Sequence, residues 1–442
     1  MRFRHLPGLG PPSQLTPEES RVLVLIGLAF MLIAYDHGLY SLALKQIQTD
    51  LVWADGDVGK ALGIIRLGAL PGIILAAMAD KVGRRKLLMA TLVCTGLFTG
   101  LTAFAQTPAQ YVALQTAAKT FAFAEEALSI VVVAETMRAS MRGWALGMLA
   151  VFNGLGNGLA SILFGFIDHI ALSADFGGWR TMYLAGTAPL FILAWLRRVL
   201  PETERFKAHQ EAQGTDEASG LLSGFSPVKR LITDYPGRTA ALFFSILPFG
   251  FCIVPATLLM SKHMQEGHGF DPGLVSMIYI GGGAVAIIGN LVVGKISDRV
   301  GRKRAIASTL MICATGFALL YGTTPGPIIA IAWMFAIFGY FATEVMFNAL
   351  GSELFPTSYR STASSFRVIT YAVTGTAGLF MQDVLYAWFG GDYAMAIVAL
   401  MAVVPLGAIV VLLFLPEPAS KELEDISPEV AGKAIIEEKG LV

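Results

Sequence analysis

The chain has 442 residues, of which 55% are hydrophobic and only 14% charged, and its formal net charge is zero. About one residue in four is charged in a soluble domain, so this composition excludes a protein with a fully water-facing surface. A balance of 32 basic against 32 acidic residues also gives no bulk attraction for nucleic acid, and no nucleic-acid partner is expected.

Apolar runs of about 20 residues can cross the hydrocarbon core of a bilayer. Twelve occur in chain order: Val22–Leu44, Val58–Ala79, Leu87–Ala105, Tyr111–Ala134, Trp144–Ile167, Met182–Leu200, Thr239–Met260, Leu274–Val293, Ala305–Tyr321, Pro327–Leu350, Thr362–Tyr386 and Tyr393–Leu415. Lipid offers the backbone no hydrogen-bond partner, so each run is predicted to be a helix. The fold class is therefore an all-α membrane protein with twelve transmembrane helices in two six-helix halves. The polar, proline-rich residues before Val22 contain no separate apolar core, so the first span is expected to act as its own insertion signal. The longest polar interval carries the run EAQGTDEASG from Glu211 and reads as a flexible linker. The organisation is an N-terminal segment (1–21), a first bundle (22–200), a linker (201–238), a second bundle (239–415) and a C-terminal tail (416–442).

Basic residues orient the chain. With both termini in the cytoplasm, 25 of the 32 Lys and Arg face the cytoplasm, while only Lys45, Lys60, Arg180 and Lys262 lie outside. The positive-inside rule thus predicts a multi-pass protein of the plasma (cell inner) membrane with cytoplasmic termini. The lipid bilayer is its surroundings, and a monomer is expected.

The halves repeat at a fixed offset. Asp80-Lys81-Val82-Gly83-Arg84-Arg85 follows span 2, and Asp298-Arg299-Val300-Gly301-Arg302-Lys303 follows span 8. Glu135 with Arg142, and Glu353 with Arg360, follow spans 4 and 10. Every matched pair is 218 residues apart, and internal repeats are how many transporters are built. The motif from Gly294 through Asp298, Arg299, Gly301, Arg302 and Lys303 resembles the inter-span loop signature of the major facilitator superfamily. The first copy has Ala76 in place of the leading glycine. Gly178-Trp179-Arg180, Leu200-Pro201-Glu202, Glu353-Leu354-Phe355-Pro356 and Leu415-Pro416-Glu417 resemble the branch holding sugar porters and organic-ion transporters. The resemblance implies a cytoplasmic gate built from Asp80, Gly83, Arg84, Arg85, Glu135, Arg142, Gly294, Asp298, Arg299, Gly301, Arg302, Glu353 and Arg360. Topology alone explains the basic members; it does not explain the repeated carboxylates.

Ionisable residues inside a span are costly unless paired or hydrated, and so mark function. Asp36, His37, Arg66, Lys119, Glu126, Glu344 and Arg367 stand out. Lys119 and Glu126 share one helix face, as do Asp36 with Tyr40, Glu344 with Asn348, and Arg367 with Tyr371 and Thr374. Asn153, Asn157 and Ser161 form a polar stripe on span 5. Asp36, Lys119, Glu126 and Glu344 are the proton-coupling candidates. Tyr40, Arg66, Asn153, Asn157, Asn348, Arg367 and Tyr371 are the substrate-cavity candidates. Tyr35-Asp36-x-Gly38 resembles the span 1 motif whose aspartate takes the proton in sugar–proton symporters. The partner arginine of that motif falls on Gln115 here, leaving Lys119 or Arg66 as the counter-charge. Pro248, Gly250 and Pro255 predict a bent or broken span 7.

The expected function is secondary active transport of a small organic solute by alternating access, as a proton-coupled symporter of an organic anion or similar metabolite. Two alternatives stay open: a proton-coupled exporter of drugs or amphipathic compounds, and a non-transporting membrane receptor or scaffold. Span 5 lacks the Gly-Pro of the export motif, and the tail is short, which weighs against each in turn. No enzyme, cofactor or metal is read from the sequence. Cys94, Cys252 and Cys313 sit in apolar runs without ligand spacing. His263 and His268, at the outer end of span 7, read as loop residues, with ligand or pH-sensor roles as the alternative. The orientation is testable with an impermeant thiol reagent on intact cells: a cysteine placed at Thr215 should stay unlabelled and one at Asp175 should react.

Overall fold

The computed structural model describes residues 14–170, 172, 176–199, 226–322, 328–356 and 359–417, and the side chains of Asp80 and Arg360 lie outside this description. Twelve helical spans follow one another. They are span 1 (Pro17–Leu42), span 2 (Val58–Leu67 with Ala69–Ala77), span 3 (Arg84–Thr102), span 4 (Pro108–Thr136), span 5 (Ala139–Gly165) and span 6 (Gly178–Leu196). The rest are span 7 (Pro236–Glu266), span 8 (Pro272–Val300), span 9 (Arg302–Gly322), span 10 (Ile328–Glu353), span 11 (Arg360–Trp388) and span 12 (Tyr393–Met401 with Val404–Phe414). Among the described residues nine helices are long and apolar enough to cross a membrane. Span 4 falls short, carrying Lys119, Glu125 and Glu126 in its middle.

Several boundaries differ from the sequence reading, each for a local reason. Span 1 starts at Pro17 rather than Val22, because Thr16 and Glu19 cap each other's N–H groups at 3.1 and 2.8 Å and proline suits the first turn. The interval read as a linker is helical over Ser226–Asp234, and its last residues already belong to span 7; residues 201–225 lie outside the described part. Span 7 is one unbroken helix of 31 residues, so of the two expected outcomes, bent or broken, the break does not occur. Proline removes one backbone hydrogen bond, and membrane helices tolerate that when neighbours take up the freed group. The carbonyl freed by Pro255, that of Phe251, lies against Gly378 of span 11.

The described residues divide into two compact units. The first holds residues up to Ala54, those from Ile64 to 199, and Met260–Met277. Its core joins spans 1, 3, 4 and 5 through Val22, Leu23, Ile26, Phe30, Leu87, Leu128, Val132 and Leu149. Gly156 of span 5 lies against the Met31 backbone, a close approach only a residue without Cβ permits. At the end opposite the repeated loops, Arg180 donates to Asp50 at 2.6 Å and to the Ala103 and Ala105 carbonyls at 2.9 and 2.6 Å, closing spans 1, 3 and 6 together. Leu97, Leu101, Phe191 and Ile192 point outward, the inverse of a soluble fold and the surface lipid requires.

The second unit holds Asp55–Gly63, residues 226 to Leu259, and Ile278 to 417. Asp383 of span 11 caps the start of span 2, accepting from the Gly59 N–H at 2.9 Å and the Lys60 N–H at 2.6 Å. Phe249 of span 7 packs on Tyr340, Phe347 and Tyr371 with ring centroids 5.6–5.8 Å apart.

The repeated loops share one backbone solution. Gly83 has φ 101° and Gly301 φ 100°, and these residues are 218 apart like the motifs they belong to. Only glycine occupies this region without strain. Glu417 then caps the following helix, accepting from the Arg302 and Lys303 N–H groups at 2.7 and 3.1 Å. A Cβ on Gly301 would meet the Glu417 carboxylate at 2.8 Å. Gly301→Ala should therefore destabilise the protein by about 1–3 kcal/mol, seen as a lowered Tm in detergent.

Candidate functional site

The first unit seals an ion pair in its interior. Asp36 of span 1 is 1% exposed and Lys119 of span 4 is 2% exposed. Lys119 Nζ donates to Asp36 Oδ2 at 2.9 Å, and Thr99 of span 3 donates to Oδ1 at 3.1 Å. The ammonium also stands 4.7 Å from the Tyr40 ring centre. Of the two counter-charges left open by the sequence, the geometry brings Lys119 to Asp36. Gln115, at the position of the expected arginine, donates to Thr102 at 3.1 Å instead.

Beside the sealed pair lies a more open one. His37 Nδ1 is 3.7 Å from Glu126 Oε1, with side chains 23% and 19% exposed, and Phe123 packs on the imidazole at 5.6 Å. Asp36 and His37 are consecutive, and Lys119 and Glu126 are two turns apart on one face, so one helix pair presents both contacts. Arg66 and Tyr40 are half-buried on spans 2 and 1. On span 5, Asn157 donates to the Asn153 carbonyl and side-chain oxygens at 3.1 and 3.2 Å, and Ser161 is fully buried. The predicted stripe is thus partly self-satisfied.

In the second unit, Arg367 of span 11 meets Glu344 of span 10 at 3.3 Å. Tyr371 donates to Tyr340 at 3.4 Å, and Asn348 is exposed. Glu126 and Glu344 are 218 residues apart, yet one faces a histidine and the other an arginine.

The repeated loops also pair. Arg84 binds Glu135, and Arg302 binds Glu353 at 3.0 Å and Asp298 at 2.6 Å. The two Arg–Glu pairs occupy equivalent places, because 302 minus 84 and 353 minus 135 both give 218. Arg85 turns to the Arg198 carbonyl at 2.5 Å. Arg142 and Gly294 are half-buried, and Arg299 is exposed. The side chains of Asp80 and Arg360, the other expected gate residues, lie outside the described part.

Sequence reading missed a second buried pair. Glu125 and Arg197 are both fully buried and bonded to each other; Thr91 and Ser129 donate to the same carboxylate at 2.6 and 3.3 Å. Two adjacent glutamates in an apolar span were its only trace, since Arg197 lies at a span end where basic residues are expected.

Residues 26–379 match the family described as the Major Facilitator Superfamily. The chain belongs to that superfamily. It is a multi-pass membrane transporter, not an enzyme, and its ligands are small molecules. It is 25% identical to the "Probable 4-methylmuconolactone transporter" of Cupriavidus pinatubonensis over 93% of this chain and 94% of that one. It is 23% identical to the gentisate transporter of Corynebacterium glutamicum, over 83% and 81%. A crystal structure of a D-xylose–proton symporter superposes with a TM-score of 0.72 over 91% of this chain and 99% of that one, at 18% identity, which shows a shared fold.

The fold itself supplies a control for the transporter's sealed pair. The residues 218 further on from Asp36, Thr99 and Lys119 are Val254, Phe317 and Ile337, all buried. The same architecture is therefore built without the charges. Removing one partner of a buried pair strands the other charge, at a cost of about 3–5 kcal/mol, whereas replacing both by apolar residues is often neutral. Lys119→Met should lower thermal stability sharply, and Asp36→Val combined with Lys119→Ile should restore most of it, measured by thermal unfolding in detergent.

Proposed function

We propose that this transporter is a proton-coupled symporter of an organic anion, working by alternating access, with Asp36 carrying the proton. The observation that supports this reading is the Asp36–Lys119 pair, held out of water in a bundle whose repeat does without it. A carboxylate so placed stays ionised only while its cation is near. When the cation is drawn toward a substrate carboxylate, Asp36 takes up a proton, and loss of substrate returns the cation and expels the proton. In the first unit Lys119 and Arg66, and in the second Arg367, are the cations available to an organic anion. Tyr40, Tyr371, Asn153, Asn157 and Asn348 supply polar contacts, and Tyr340 and Phe123 flat apolar surface. The gentisate and 4-methylmuconolactone transporters named above are consistent with a small organic acid. Glu126 and Glu344 are the further coupling candidates.

In the same reading both termini are cytoplasmic, the protein is a monomer of the cell inner membrane, and the segments are those bounded at 21, 200, 238 and 415. The Arg84–Glu135 and Arg302–Glu353 pairs, with Asp80, Asp298, Arg142 and Arg360, form the cytoplasmic latch.

The test uses protein in liposomes, with labelled gentisate as the first probe within a panel of organic acids, sugars and drugs. Uptake of the accepted solute should rise with an inward proton gradient. Asp36→Asn should abolish the gradient-driven part while leaving substrate exchange largely intact, because exchange need not move the proton. Gradient-driven accumulation by Asp36→Asn, Glu126→Gln and Glu344→Gln alike would exclude proton symport and favour facilitated diffusion or another ion.

A further inference from the structure

Span 7 ends in a turn that folds one histidine back onto another. His263 lies in the last turn of the helix, and the chain then passes Gly267, His268 and Gly269 before Phe270. The Gly267 N–H donates to the His263 carbonyl at 2.8 Å, and the Phe270 N–H to the Met264 carbonyl at 3.0 Å. Gly269 has φ +67°, a conformation that glycine adopts without penalty. A Cβ at Gly267 would stand 2.9 Å from the His263 carbonyl oxygen. The turn thus depends on both glycines. It sets His268 Nε2 3.2 Å from His263 Nε2, with the rings perpendicular at 88° and their centres 4.8 Å apart.

That separation suits a metal ion. Zinc binds imidazole nitrogen at about 2.0–2.1 Å with tetrahedral geometry, which puts two such nitrogens roughly 3.3–3.4 Å apart. We propose that His263 and His268 form a binding site for a divalent transition-metal ion of the imidazole-preferring class, such as zinc or nickel. Imidazole ligates through a ring nitrogen only when neutral. His263 is 5% exposed. Among the described residues no cluster of three or more His, Cys, Asp or Glu occurs, and Glu266 is engaged by Lys262 at 3.3 Å, so water completes the coordination. A two-histidine site of this kind modulates the protein; it does not create the fold.

The surrounding contacts say what binding would stiffen. Ser261 donates to the Leu42 carbonyl at 2.6 Å, Lys262 to Gln48 at 2.6 Å, and Gln46 to Gln265 at 2.7 Å. These fasten the end of span 7 to the chain just after span 1. A metal bridging His263 and His268 ties the following turn to the same helix end.

The test is independent of any substrate. Purified, untagged protein is titrated with zinc chloride by calorimetry and by thermal unfolding, beside His263→Ala, His268→Ala and, as a control, His169→Ala. Wild type and the control should bind one zinc and show a higher Tm. Each of the other two should bind at least about tenfold more weakly. Magnesium, which prefers oxygen ligands, should have no effect. The zinc effect should weaken as the pH falls through and below the histidine range, because a protonated imidazole cannot ligate. Should an alanine variant fold poorly, His268→Gln keeps a hydrogen-bonding side chain and serves in its place. No zinc binding by wild type, or undiminished binding by both histidine variants, overturns the proposal and leaves the pair as a neutral hydrogen bond.

Discussion

A charge placed where water cannot reach it must be paired, and in this transporter that constraint organises the first bundle. Asp36 and Lys119 lie on different helices, so their 2.9 Å contact fixes span 1 against span 4, and the Thr99 hydroxyl fixes span 3 against both. A small residue on span 5 serves the same packing. Gly156 lies against the Met31 backbone, which lets span 5 press span 1 toward its partners. A looser bundle would admit water, and the attraction between the two charges would weaken.

Glu125 and Arg197 apply the same rule at another level of the bundle. Their pair joins spans 4 and 6, and Thr91 brings in span 3. In the second half the residues 218 beyond Thr91 and Glu125 are Thr309 and Thr343, and they too meet, hydroxyl to hydroxyl at 3.0 Å. The contact between helices is kept while its charge is not. Geometry is thus common to the two halves, and the charges are an addition made in one of them.

Much of this was legible in the sequence, because lipid enforces simple rules. Twelve apolar runs had to be helices, and the 218-residue offset matched Arg84 to Arg302 and Glu135 to Glu353; that each arginine meets the glutamate of its own half came from the fold. Helix periodicity put Lys119 and Glu126 on one face but could not say which helix that face meets, so the choice between Lys119 and Arg66 needed the fold. Polar contacts set by tertiary neighbours were beyond reach for the same reason. Asp383 caps a helix more than 300 residues earlier in the chain, and nothing near it in sequence announces a cap. Span 7 stays continuous through Pro248 and Pro255, and the neighbouring helix that lies against the carbonyl freed by Pro255 is likewise invisible to local sequence.

Comparison of the two halves separates what the architecture requires from what the activity requires. Features present in both, such as the Arg–Glu loop pairs and the glycines near φ 100°, belong to the construction or motion common to each bundle. Features present in one, such as Asp36 with Lys119 and His37 with Glu126, are not needed to build a six-helix bundle of this kind. Glu126 and Glu344 show the distinction within one matched pair. The repeat keeps a glutamate at both places, but Glu344 meets Arg367 of span 11, whereas Glu126 meets His37 of span 1. The matched position is a carboxylate in both bundles, and the helix it meets decides whether its partner is a guanidinium or an imidazole.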